Sequence, residues 1–372
     1  MGSRMSPVLN DIASSLLLPD GWAYLDWVSG VIRVNATYDE LERLRELMST
    51  RESIRGRELG ESQVLLLETL THEYTHYFQL CTTGYLYRVA KEFFTTLTSA
   101  LPTDITSVEQ LPQSVIDDVG LRLDAVKHKH LLTVGARGLD VLSIVESAAF
   151  LVQKRYHRPE LSPEEYEKAL AGQPSVYKKG YDIAREYLGN DAFTAYPLLA
   201  SLALWTDRPV DSLVTLCAWV AGHSQVERRQ LQFGDLLTPL TSSAGFIGPP
   251  WISGQRNVPE YEASVRCLEK AQKTGQFSRQ AYLSAQHQDA QVRAIVEALP
   301  PVIFNAEQQP GAVGIQWPIS WDKSSPEEKI QHSQVMLLLF AISTHVQRNH
   351  ADRASAAQAL ARDIDPAIIA PK

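Results

Sequence analysis

Ten histidines are scattered through the 372 residues, and two of them, His72 and His76, stand four apart with Glu73 next to the first. In a helix that spacing is about one turn, so both imidazoles project from the same face and can reach one metal ion. Glu73, about 100° round the helix from His72, sits beside such a metal rather than on it, where its carboxylate could take a proton from a water. A random chain of this composition shows His-Glu-x-x-His on the order of a few per cent of the time. The neighbouring residues sharpen the pattern. Leu65, Glu68, His72, His76, Gln79 and Thr83 share one face of the predicted helix, while Leu66, Leu67, Leu70, Tyr74, Tyr77, Phe78 and Cys81 lie opposite. An apolar back and a metal-capable front suit a helix on the floor of a cleft. The plainer alternative is a buried helix with two hydrogen-bonded histidines.

A catalytic zinc takes three protein ligands and keeps one position open. Glu146 is the only charged residue between Val141 and Val152, in a stretch apolar on nearly every side. A carboxylate buried there costs several kcal/mol unless it is paired, hydrogen-bonded or on a metal. It is therefore the candidate third ligand, with a bond to Arg137 or to a helix terminus as the structural alternative. His128 and His130 would point about 200° apart on a helix, cannot share a metal there, and read as solvent-facing. A di-iron bundle would need a second Glu-x-x-His beside Glu73-x-x-His76, and the sequence has none; Glu328 and His332 are four apart.

His72-Glu73-x-x-His76, followed on a later helix by Glu146-Ser147-Ala148-Ala149, resembles the gluzincin branch of the zincin-like metallopeptidases. The resemblance covers about Ser62 to Gln79 and Leu139 to Gln153. It implies zinc on His72, His76 and Glu146, Glu73 as general base, and a small sheet ahead of the motif helix. Gln79 stands where metzincins carry Gly and Thr82 where they carry their third His, so that other branch is excluded. Phe150 stands where some gluzincins place an Asp that orients a histidine, which leaves Glu68 or Gln79 for that role. Tyr156, His157, Tyr196, His223 and His345 are the candidates for stabilising charge in the transition state.

The elements that must position these groups are mostly helical. Trp22 to Trp27 and Val31 to Val34, joined by Val28-Ser29-Gly30, predict a hairpin. Thr37 with Glu40 starts one helix, Ser62 caps the long motif helix, and Ser162-Pro163-Glu164-Glu165 opens another. Helices are expected over Tyr85 to Leu97, Val115 to Leu132, Leu139 to Gln153, Ser175 to Leu188, Ala192 to Leu204 and Val210 to Val220. Further helices are expected over Glu260 to Lys273, Arg279 to Leu299 and Ser325 to about Asn349. Thr238 to Asn257 and Gln308 to Trp321 read as irregular cleft walls. The expected fold is mainly α (α+β), a zincin-like helical body with a small N-terminal β-hairpin or sheet. It forms a single domain over residues 1–372, in one or two lobes, with residues 1–5 an added or disordered start.

A hydrophobic content of 44%, 21% charged residues and a net charge of -8 describe an ordinary folded protein with no basic stripe for nucleic acid. No signal-like or membrane-spanning run occurs, and Cys81, Cys217 and Cys267 are far apart, so a soluble cytoplasmic protein in a reducing compartment is expected. The expected activity is a zinc-dependent hydrolase acting on an amide carbonyl of a narrow peptide or small-molecule substrate. The alternative is a biosynthetic metalloenzyme, iron-dependent and oxidative, on a small metabolite. A metal-free helical binding module is the third reading.

Overall fold

A computed structural model describes residues 23–37, 39–41, 43, 60–101, 111–158, 160–228, 231, 233–241, 245–248, 303–306, 313–316, 342–347 and 349. The chain is mainly α with a small N-terminal hairpin, β1 (Ala23–Leu25) and β2 (Ile32–Val34), antiparallel with Leu25 opposite Ile32. The turn between them is locked by Asp26, whose Oδ2 accepts the Ser29 N–H at 2.9 Å and the Ser29 hydroxyl at 2.5 Å. Gly30 closes it at φ 69°, a conformation that side chains rarely tolerate.

Two further strands extend the hairpin into the small sheet. β3 (Ile303–Ala306) lies parallel to β2, and β4 (Val313–Gln316) antiparallel to β3, giving the order β1-β2-β3-β4. β4 falls within the stretch expected to be irregular. Among the described residues β1 is an edge strand, on the side of the motif helix.

That helix, α1 (Glu61–Thr82), starts one residue earlier than the Ser62 cap implied: Gly60 is the N-cap and its N–H donates to Gln63 Oε1 at 3.1 Å. An amide three residues into the helix satisfies the free N–H as a cap glutamate would. Five threonines in and just past α1 donate their hydroxyls to the carbonyl four residues back, at 2.7 to 2.8 Å, so none competes for the helix backbone from outside. The C-terminal carbonyl of Thr82 accepts from Trp205 Nε1 at 3.0 Å. Leu66, Leu67 and Leu70 are buried as expected of the apolar back, whereas Leu65 opens to solvent.

α2 (Gly84–Ala100) and α3 (Gln113–Lys127) pack side by side. A π-turn, His128–Leu132, follows α3 and turns His130 inward, so its Nε2 meets Glu92 at 2.8 Å. Only His128 of that pair is exposed, which corrects the solvent-facing expectation for His130. α4 (Val141–His157) is capped by Asp140, whose side chain accepts from Ser143 N–H at 2.7 Å, and packs against α1 on one side and later helices on the other. Val145, Ser147, Ala149 and Leu151 are all fully buried.

α5 (Pro163–Ala171) carries the expected Ser162/Glu165 capping box. The helix expected over Ser175 to Leu188 is broken into a 3-10 turn, Ser175–Tyr177, and α6 (Lys179–Leu188). The tight turn starts after Pro174, whose ring cannot continue a helix backward. α7 (Ala192–Ala203), α8 (Pro209–Ala221), α9 (Gln225–Arg228) and α10 (Phe233–Thr241) follow. Residues 342–347 are helical, and Ser343 Oγ reaches Asp26 Oδ1 at 3.0 Å, tying this segment to the hairpin. The helices expected over Glu260 to Lys273 and Arg279 to Leu299, and residues 1–5, lie outside the described residues. Among the described residues no helix is long and apolar enough to cross a membrane.

Candidate metal centre

α1 and α4 face each other across their polar residues, and three ligating atoms meet between them. His76 Nε2 lies 2.9 Å from His72 Nε2, and Glu146 Oε2 lies 3.1 Å from His72 Nε2 and 3.4 Å from His76 Nε2. Ligands about 2.1 Å from a tetrahedral zinc sit about 3.4 Å from one another, so this spacing fits one small cation. Two imidazole nitrogens and a carboxylate oxygen present lone pairs to the same point, an arrangement that needs a cation or a shared proton at its centre. The group of His72, His76 and Glu146 can hold a metal ion. Both imidazoles are buried and the Glu146 side chain is 18% exposed.

The electrostatics express the same need. Burial by itself would lower the His76 pKa, but the Glu146 charge and hydrogen bond outweigh it and raise it to about 9. Burial likewise opposes ionisation of Glu146, yet the imidazoles beside it hold its carboxyl well below the usual range. Arg137, the alternative partner, is on the surface with Glu186. The carboxylate on the buried helix is therefore satisfied by the two histidines.

Each imidazole is held from behind by a glutamine. Gln79 Oε1 lies 3.1 Å from His76 Nδ1, on the same helix, and Gln153 Oε1 lies 3.0 Å from His72 Nδ1, from α4. Gln79 is thus placed where the sequence put a histidine-orienting group. Glu68 Oε2 accepts from Gln153 Nε2 at 3.3 Å and from Lys154 Nζ at 2.5 Å, so it stands behind Gln153. Gln153 was not anticipated, although its spacing of seven from Glu146 puts it on the same face two turns on.

Glu73 is buried on the flank of α1 that faces the hairpin, and its Oε2 accepts the Leu25 N–H of β1 at 2.7 Å. One oxygen of this carboxylate is thereby fixed by main chain. Trp27, from the hairpin turn, stands with its ring 6.1 Å from that of His76.

Tyr177 was also missed by sequence reasoning. The 3-10 turn brings its ring 5.9 Å from His72 and 5.5 Å from Phe150. Burial raises its pKa, and the charges of Glu146 and Glu73 raise it further, so the phenol keeps its proton and can donate it in a hydrogen bond. Of the donors proposed from sequence, Tyr196, His223 and Tyr156 have other neighbours. Tyr196 is fully buried, its hydroxyl on Ser147 and the Ile144 carbonyl; His223 bonds the Trp219 carbonyl; Tyr156 neighbours Tyr74; and His345 belongs to the helical residues 342–347. The His157 side chain lies outside the described residues.

Comparison with protein-family models, with curated proteins and with solved structures returns no match to this chain.

Proposed function

We propose that the chain is a metal-dependent hydrolase of the metallopeptidase type, zinc-loaded, acting on an amide carbonyl of a narrow peptide or small-molecule substrate. The observation that carries this reading is Glu73 fixed by the Leu25 N–H beside three converging ligand atoms. A divalent cation held by His72, His76 and Glu146 would supply Lewis acidity toward a carbonyl oxygen and toward water. The remaining steps belong to the chain. Glu73, anchored through one oxygen, accepts the proton of the attacking water and returns it to the leaving amine. Tyr177 donates to the carbonyl oxygen as charge grows on it, and Trp27 walls the His76 side. The resemblance to gluzincins supports the same roles for His72, Glu73, His76 and Glu146. A reducing, cytoplasmic setting accords with three widely separated cysteines, and the acidic balance makes nucleic acid a poor partner.

The donor set supports a second reading, because two histidines and one carboxylate also hold mononuclear Fe(II) in oxidative enzymes. An anchored carboxylate beside the ligands favours hydrolysis. The test is the metal content of protein purified without added metal, together with Glu73→Gln. Near one equivalent of zinc is expected, and the variant should keep the metal while losing on the order of 10²-fold or more of amide hydrolysis. Bound iron with oxygen-dependent turnover would refute the hydrolase, and absence of either metal at near one equivalent would refute the metal centre.

A further inference from the structure

Both imidazoles must present an unprotonated Nε2 to bind a cation, so each must carry its proton on Nδ1. The partners of Nδ1 are carboxamides, and a carboxamide can turn either its oxygen or its NH₂ toward a histidine. What decides is the group on the far side of each amide. Gln79 Nε2 faces the Val145 carbonyl at 3.5 Å, an acceptor only, which leaves Oε1 for His76. For Gln153 the far group is Glu68.

We propose that Glu68 is a positioning residue that fixes the tautomer of His72 from two hydrogen bonds away. The polarity of this chain runs one way from its outer end. Lys154 can only donate, and at 2.5 Å it keeps the Glu68 carboxylate as an acceptor. Glu68 Oε2, accepting, draws the NH₂ of Gln153 toward itself at 3.3 Å. Turned the other way, Gln153 would set two acceptor oxygens against each other beside a largely buried carboxylate. Its Oε1 therefore points at His72 Nδ1, 3.0 Å away, and the imidazole must donate from that nitrogen. The Nε2 lone pair is left on the side of His76 and Glu146, for a cation or, without one, for a proton shared with them. The relay uses α1 at Glu68 and His72, one turn apart, and α4 at Gln153 and Lys154, so it also fixes the rotation of the two helices against each other.

This inference rests on the metal-centre reading for its purpose, but the tautomer can be read without any metal. The experiment takes the full chain as wild type, Glu68→Gln and Gln153→Met, both near-isosteric. Nitrogen-proton correlation spectra of the histidine rings are recorded metal-free, and zinc affinity is measured by competition with a chelator. Wild type should show a proton held on His72 Nδ1, with Nε2 free of any proton but the one it shares with Glu146 and His76. Glu68→Gln, which can offer an NH₂ to Gln153 and so let that amide turn, should show mixed tautomers. Gln153→Met should lose the Nδ1 bond. In both variants zinc affinity should fall about 10- to 100-fold, the usual consequence of losing a group that orients a ligand. A merely structural role would lower the melting temperature without changing the tautomer. Unchanged His72 tautomer in both variants would overturn the relay, even if stability fell. If wild type bound no zinc while the tautomer still followed Glu68 and Gln153, the metal centre would fall and the relay would stand.

Discussion

Gly180 offers a test of how closely the helices around the candidate centre are packed. It is buried in the first turn of α6, where that helix meets α4 and α7. A methyl group there would stand 2.5 Å from Ser147 Oγ and 3.0 Å from Tyr196 Cζ, and closer still to the Tyr196 hydroxyl. Tyr196 is fully buried, and its hydroxyl is already engaged with Ser147 Oγ at 2.7 Å and the Ile144 carbonyl at 3.0 Å. On an open helix Gly→Ala would stabilise by up to about 1 kcal/mol. In this place overpacking costs about 1–3 kcal/mol, and a buried hydroxyl pushed off its partners costs another ~1–3 kcal/mol. The net expectation for Gly180→Ala is a loss of about 1–5 kcal/mol, read as a lower urea midpoint with an unchanged slope. Ser147 adjoins Glu146, so displacement of this wall of α4 should also weaken zinc binding, measured by chelator competition. A Gly180→Ala variant as stable as wild type would refute the close approach of α6 to Ser147 and Tyr196.

Tyr177→Phe should leave zinc affinity within about threefold and lower turnover of an amide substrate by about 10²-fold, the scale for one lost transition-state donor; equal turnover in steady-state assays would remove Tyr177 from the reaction. In the metal-free protein the His76 pKa, raised from 6.5 to about 9, contributes stability that is fully present below pH 6.5 and is lost as pH rises through about 9. Urea midpoints of metal-free protein should therefore fall between those values, and saturating zinc, which replaces the proton, should flatten that fall. Asp26→Ala strands the Ser29 N–H and hydroxyl and the Ser343 hydroxyl. A loss of about 2–4 kcal/mol is expected in denaturant unfolding, with faster amide exchange in the hairpin than elsewhere.

Much of the architecture can be read from local pattern. The alternation around Ser29-Gly30, the Thr37/Glu40 and Ser162/Glu165 caps, and the two-faced run over α1 are each set by residues within a turn or two of one another. The misreadings share a cause. β3 and β4 are four residues each, too short for periodicity to separate from loop, and β3 exists because β2 offers it a parallel partner some 270 residues earlier in the chain. Tyr177 read as one more helical residue, and the break before α6 is what aims it at the site.

The sequence by itself determined that His72 and His76 share a face of one helix, that Glu73 lies beside them, and that Glu146 is a buried charge in need of partners. Those are consequences of a 3.6-residue period and of the cost of an unpaired carboxylate, and both act locally. Only the tertiary structure decided which faces meet. Packing α4 on α1 brings Glu146 to the imidazoles and Gln153 between His72 and Glu68, and the hairpin lays the Leu25 N–H on Glu73. No local rule contains those pairings, because each joins groups separated by 48 to 85 residues and is fixed by the shape of the whole buried core.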